Sequence, residues 1–285
     1  MPTIDEKRVY TDESGTETVY LASGLGVVAV SVSDDLIGEF GVAHRCRARD
    51  VATAGPYVAA ATDEDVFVCD RRAAADGGPD TGSAFSATGF GPATAVGFRD
   101  GALLAGDDDG RVGRAEVDPE AVGDGTPADA AWTALGTVGA VRAIDGDFVA
   151  AADGAHQVGD SGLRPVGLDD ARDVDGEPLV AAASGLYKLG NGWMDVAPGP
   201  AAAVDAADGR GLAVCDGDLY AREPDAGEWV AAAPPFDADA TVVAVTHGAE
   251  AAYAVTAAGR LAVRVPGAGW RDRDLGVREV AAAAV

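Results

Sequence analysis

Lysine is almost missing from this 285-residue chain. Two lysines, Lys7 and Lys188, accompany 19 arginines, and 47 acidic residues leave a formal net charge of −26. A nucleic-acid-binding surface needs a basic face to follow phosphates, so this balance removes nucleic acid from the expected partners. Cysteine is scarce as well. Cys46, Cys69 and Cys215 are odd in number and far apart, which excludes a disulfide framework and a CxxC site. No apolar run approaches the roughly 18 residues of a membrane span. Met1–Arg8 carries acids where a secretory leader would be apolar. The expectation is a soluble, cytoplasmic protein that meets neither membrane nor nucleic acid. Helix-period segments are missing too, which points away from helical folds.

What the chain does have is apolar material for a core: 48% of its residues are hydrophobic, too many for a disordered segment. The 35 aspartates and 12 glutamates would strain a compact state by self-repulsion in dilute buffer. Strong salt relieves that strain, since the Debye length falls to about 3 Å at molar concentration. Asp excess, Ala richness and near-absence of Lys together resemble the cytoplasmic proteins of a salt-accumulating archaeon.

One phrase recurs along the chain: an apolar run with small residues, a Gly/Asp turn, then a second apolar run. It is seen at Val19–Val30, Val58–Val68, Leu103–Val112, Val149–Val158, Val180–Leu189, Leu212–Tyr220 and Tyr253–Val263. Seven copies make about 41 residues per unit, in the range of propeller blades. Val, Leu, Tyr and Phe suit strands, and Gly and Asp accept the positive φ of tight hairpin turns. Another strand with its own turn precedes most copies, as in Ala48–Tyr57, Val141–Phe148 and Ala171–Leu179. A fourth follows, and all four tryptophans (Trp132, Trp193, Trp229, Trp270) stand at or just before it, where each is expected to anchor its blade's outer hairpin.

The expected fold is therefore all-β: a single β-propeller domain over residues 1–285, with seven four-stranded blades. Val277–Ala283 matches the inner first strands, and the first copy of the phrase has none before it. The C-terminus is expected to pair into blade one and close the ring, removing two sheet edges. Lys7–Thr11 then becomes an extra outer or capping strand; the alternative makes it the inner strand. Gly/Pro/Asp-rich stretches at Arg71–Ser86 and Pro119–Ala131 read as surface loops.

The inner strands align on Val51, Val96, Ile144, Val174, Val204, Val245 and Val280. Two positions earlier stand Arg49, Thr94, Arg142, Arg172, Ala202, Val243 and Arg278. Four arginines at one register suggest a cationic ring at one channel mouth, suited to carboxylate or phosphate. The opposing reading is that each pairs with an acid such as Asp50, Asp173 or Glu279 and only locks the ring. His44, Arg45 and Arg47 fall in the loop that enters the Arg49 strand and complete the candidate ligand- or partner-binding mouth. His44 and Cys46 are too few to hold a metal. His156 and His247 are expected in hairpin turns, and Cys69 and Cys215 as buried small hydrophobes. Gly159–Gly162 spells GDSG without a serine protease's other parts. Asp107–Gly110 lacks the alternating acids of a calcium loop and reads as a solvated turn. No catalytic constellation, metal or cofactor is expected.

The segments EKRVYTDESG, VSDDLIGEFG and AHRCRARDVA, with the repeated inner strands, resemble an uncharacterised haloarchaeal β-propeller family along the full length. The resemblance implies fold and habitat. The Gly-Trp hairpins GNGW, DAGEW and GAGW resemble, more loosely, the Asp-box repeats of sialidase-like and photosystem-assembly propellers. The arginine segment that opens sialidases is missing, as are the WD and GH dipeptides of WD40 repeats. The expected role is a non-catalytic, monomeric protein-interaction scaffold with an unknown protein partner. The alternative is a binder of a small anion or metabolite, with hydrolysis less expected.

Overall fold

The computed structural model describes residues 15–71, 85–117, 122, 130–197, 199–224 and 227–285. Seven four-stranded antiparallel sheets make the seven blades of a β-propeller. From the channel outward, blade 1 runs Ala282–Ala284, Thr16–Ser23, Gly26–Ser33 and Leu36–His44. The inner strands of blades 2 to 7 are Ala48–Ala54, Ala95–Arg99, Val141–Asp145, Ala171–Asp175, Ala201–Ala207 and Val242–His247. Each is followed outward by its next three strands in chain order.

Ring closure is as the sequence implies, with a shorter strand. Ala282, Ala283 and Ala284 pair with Ala22, Leu21 and Tyr20. Arg278 and Glu279 precede that strand, and Glu279 has φ of 55°, so the reading that set Val277–Ala283 as the strand is corrected. Lys7–Thr11 lies outside the described residues, as do most of the two Gly/Pro/Asp-rich loops.

Small and β-branched residues on both faces of each blade pack against its neighbours, so the core is seven separate seams. Val19, Val28 and Val30 meet Tyr253, Val255 and Leu261 between blades 1 and 7. Leu104 and Val112 meet Val149 and Val158 between blades 3 and 4. Phe148 and Ala150 meet Val174 and Val180 between blades 4 and 5. Burial at roughly 25 cal/mol per Å² along all these seams is the main stabilising term.

The tryptophans are part of those seams. Each starts or precedes an outer strand, as expected, yet it reaches to the preceding blade. Trp193 donates its indole N–H to the Val166 carbonyl of blade 4 at 2.7 Å, and Trp132 donates to the Thr88 carbonyl beyond blade 2 at 3.1 Å. Trp132 also packs on Phe90, with ring centroids 4.7 Å apart. His156 and His247 lie in strands and not in turns: His156 within Gly154–Gly159, His247 at the end of its inner strand. Cys69 and Cys215 are fully buried.

Candidate functional site

The inner strands enclose a channel of about 400 Å³. Pairing between the first and second strands slips by one residue in five blades. The residues skipped are Arg49, Arg142, Arg172, Ala202 and Val243. These are the register at which the arginines recur. Each is a β-bulge, which leaves the residue out of the ladder and re-aims its side chain. All five line the channel.

The guanidiniums do not converge on an open point. Arg49 binds Asp108 of the blade 3 hairpin tip at 3.2 Å. Arg142 donates to the Asp170 carboxylate and, at 3.0 Å, to the Ala171 carbonyl. Arg172 approaches the other oxygen of Asp170 at 3.7 Å and donates to the Ala201 carbonyl at 3.4 Å. Held by two arginines, Asp170 titrates below its ordinary range. Arg278 caps the carbonyls of Ala258 and Val277.

Asp50 and Asp173 are not the arginines' partners. Asp50 accepts the N–H of Val51 at 2.8 Å and that of Val96 in the next blade at 2.9 Å. Asp173 does the same for Val174 at 2.9 Å and Val204 at 2.8 Å. Burial pushes both carboxyls up to about 7, against the downward pull of those N–H donors. They are staples between inner strands. Glu279 pairs instead with Arg47, at 3.3 Å.

Towards the opposite mouth lies a set that the sequence reading missed: Asp145, Asp175, Asp205 and His247. Asp145 accepts the Gly176 N–H at 2.6 Å, and Asp175 accepts the Ala206 N–H at 2.9 Å, each across a seam. Asp205 meets His247 Nδ1 at 2.6 Å. Burial raises Asp205 to about 8 and lowers His247 to about 4, so both lean to their neutral forms. A signal for these residues existed. The aligned apolar residue is followed by Asp in three consecutive blades: Ile144-Asp145, Val174-Asp175 and Val204-Asp205.

At the arginine-bearing mouth, the loop entering blade 2 is well fixed. The His44 ring lies 4.5 Å from Phe67 and 5.0 Å from Phe85 between centroids, and this burial lowers its pKa. The Arg47 carbonyl accepts the Asp63 N–H at 3.3 Å. Arg45 and Arg47 project into solvent from this frame, and Arg45 has no ion pair among the described residues. Such a display suits contact with a carboxylate on a large partner better than enclosure of a small anion. Among the described residues, no group of three or more His, Cys, Asp or Glu is arranged for a metal ion. No helix there is long and apolar enough to cross a membrane.

A family model described as "Beta-prop_HVO_0234:-like, beta propeller" matches residues 3–285. No curated protein matches the chain. Among solved structures it is similar to the computationally designed Ika8 protein, at TM-score 0.56 and 16% identity over 94% of this chain and 91% of that one. A structure described as YCF48 bound to D1 peptide gives TM-score 0.54 and 11% identity, covering 90% and 85%. The WD40 β-propeller domain of Doa1 gives 0.61 and 13%, covering 90% and 87%. At these identities the likeness concerns the fold.

Proposed function

Since the chain belongs to this β-propeller family, we propose that it is a non-catalytic scaffold that holds a protein partner at its arginine-bearing mouth. The observation that carries this reading is the division of labour among the mouth's arginines. Arg49, Arg142, Arg172 and Arg278 are occupied by Asp108, Asp170 and backbone carbonyls. Arg45 instead stands exposed with no ion pair among the described residues, on a loop pinned by His44, next to Arg47, which is exposed and paired with Glu279. A small-anion site needs free converging guanidiniums, and Asp170 alone engages two of them. Two of the similar propellers, one described with a bound peptide and one from the WD40 class, are compatible with such a role.

The test is affinity capture from a high-salt lysate with the wild-type chain and with Arg45→Glu/Arg47→Glu. A partner recovered by the wild type and lost by the variant is the expected result. Recovery of nothing, or equal recovery by both chains, would count against the proposal.

A further inference from the structure

The hairpin tip between the second and third strands of blade 1 carries Leu25, 53% exposed and one of few large apolar side chains so displayed among the described residues. The tip is rigid. Ser23 Oγ donates to the Gly26 carbonyl at 2.8 Å, the Leu25 N–H donates to Ser23 Oγ at 3.3 Å, and the Gly24 N–H reaches the Arg278 carbonyl at 3.3 Å. It also abuts the basic loop: Gly26 has φ of 126°, and a Cβ there would run into the His44 carbonyl oxygen and crowd the Cys46 nitrogen. An exposed leucine and an exposed arginine with no ion pair among the described residues therefore sit on neighbouring, hydrogen-bonded backbone segments, which lowers the entropic cost of docking.

The surrounding charges narrow what fits. Arg47 is paired with Glu279, whose carboxylate lies over Gly24, while Asp63 and Glu64 stand exposed at the blade 2 tip on the other side. A tract of acids would meet these three carboxylates. A single carboxylate next to an apolar side chain would meet Arg45 and Leu25.

We propose that Leu25 and Arg45 form the seat for a partner segment in which an apolar residue adjoins one carboxylate. This rests on the scaffold reading and deepens it by naming an anchor and the partner's chemistry. Arginine is among the residues in which interface binding energy concentrates, and the leucine adds apolar area that is removed from water on docking.

The experiment is a peptide-display selection on the immobilised full chain in molar KCl, followed by affinity measurement on the wild type, Leu25→Asn and Arg45→Gln. Both substitutions are at exposed positions, and tryptophan fluorescence checks folding. Enriched peptides should pair an apolar residue with Asp or Glu, and each substitution should weaken them at least about tenfold. Enriched peptides that bind both variants as well as the wild type overturn this inference and leave the scaffold reading standing. So does enrichment of acidic tracts indifferent to Leu25→Asn. A wild-type chain that dimerises in sedimentation while Leu25→Asn does not assigns the seat to a second copy and overturns it too. If nothing is enriched, the inference and the scaffold reading fail together.

Discussion

Replacing Asp175 with asparagine isolates one inter-blade staple and its titration. Asp175 is 5% exposed. One carboxyl oxygen accepts the Glu177 N–H at 2.7 Å and the other accepts the Ala206 N–H of blade 6 at 2.9 Å. An amide keeps one acceptor and turns an NH₂ towards the other donor, leaving a buried N–H unpaired at about 1–3 kcal/mol. Burial, reinforced by the charges of Asp205 and Asp145, raises the carboxyl from 3.8 to about 8. The native state thus binds this proton more tightly than the unfolded chain. The resulting stabilisation is complete below about pH 4 and is lost as pH rises through about 8. Within that window one such group changes stability by at most about 1.4 kcal/mol per pH unit, or roughly 4 kcal/mol from about pH 5 to about pH 8. Asp175→Asn has no proton to lose. It should be less stable than the wild type at the acid end, and the gap should narrow or invert at the alkaline end. Urea unfolding followed by tryptophan fluorescence reads this out, in molar KCl to screen surface charge. Asp218→Asn, exposed at the start of a blade 6 strand, serves as the control. Parallel pH curves for Asp175→Asn and the wild type would refute the reasoning.

Tyr253 donates its hydroxyl to Glu17 at 2.7 Å across the closing seam, and Glu17 also accepts the Ala249 N–H. Tyr253→Phe should lower the unfolding free energy by about 1.5–3 kcal/mol, and a loss under about 0.5 would show that this bond does not tie the ring. Burial pushes Cys46 and Cys215 to about 11 and Cys69 to about 12. A two-unit rise cuts the thiolate fraction about 100-fold, so iodoacetamide at mildly alkaline pH should leave the native chain unmodified in intact-mass measurement. Three adducts should appear in urea; a rapid single adduct on native Cys46 would contradict this.

The blade count and the ring closure were legible because they rest on local chemistry: Gly/Asp turns, alternating small and β-branched residues, and an orphan final strand. The arginine register was legible as well. Its partners were not, because they come from loops that only the closed ring brings near: Asp170 lies 28 residues from Arg142, and Asp108 lies 59 from Arg49. Pairing Arg49 with Asp50 looked natural in one dimension. In the folded chain the bulge at Arg49 separates the two, and Asp50 turns to a neighbouring strand's backbone. The tryptophans show the same limit, since strand position was readable and the blade they lean on was not. Leu25 escaped notice because a leucine in a repeat hairpin reads as core until the tip is seen to face solvent.

The bulge has a consequence for what this molecule can become. A residue excluded from the ladder is invisible to the sheet that carries it, so identity at Arg49, Arg142, Arg172, Ala202 and Val243 is uncoupled from strand pairing. The ring accepts arginine, alanine and valine there with the same one-residue slip. The protein thereby separates its frame from its lining. The mouth's charge can vary from blade to blade, cationic, small or oily, without a change in the register of the strands that carry it.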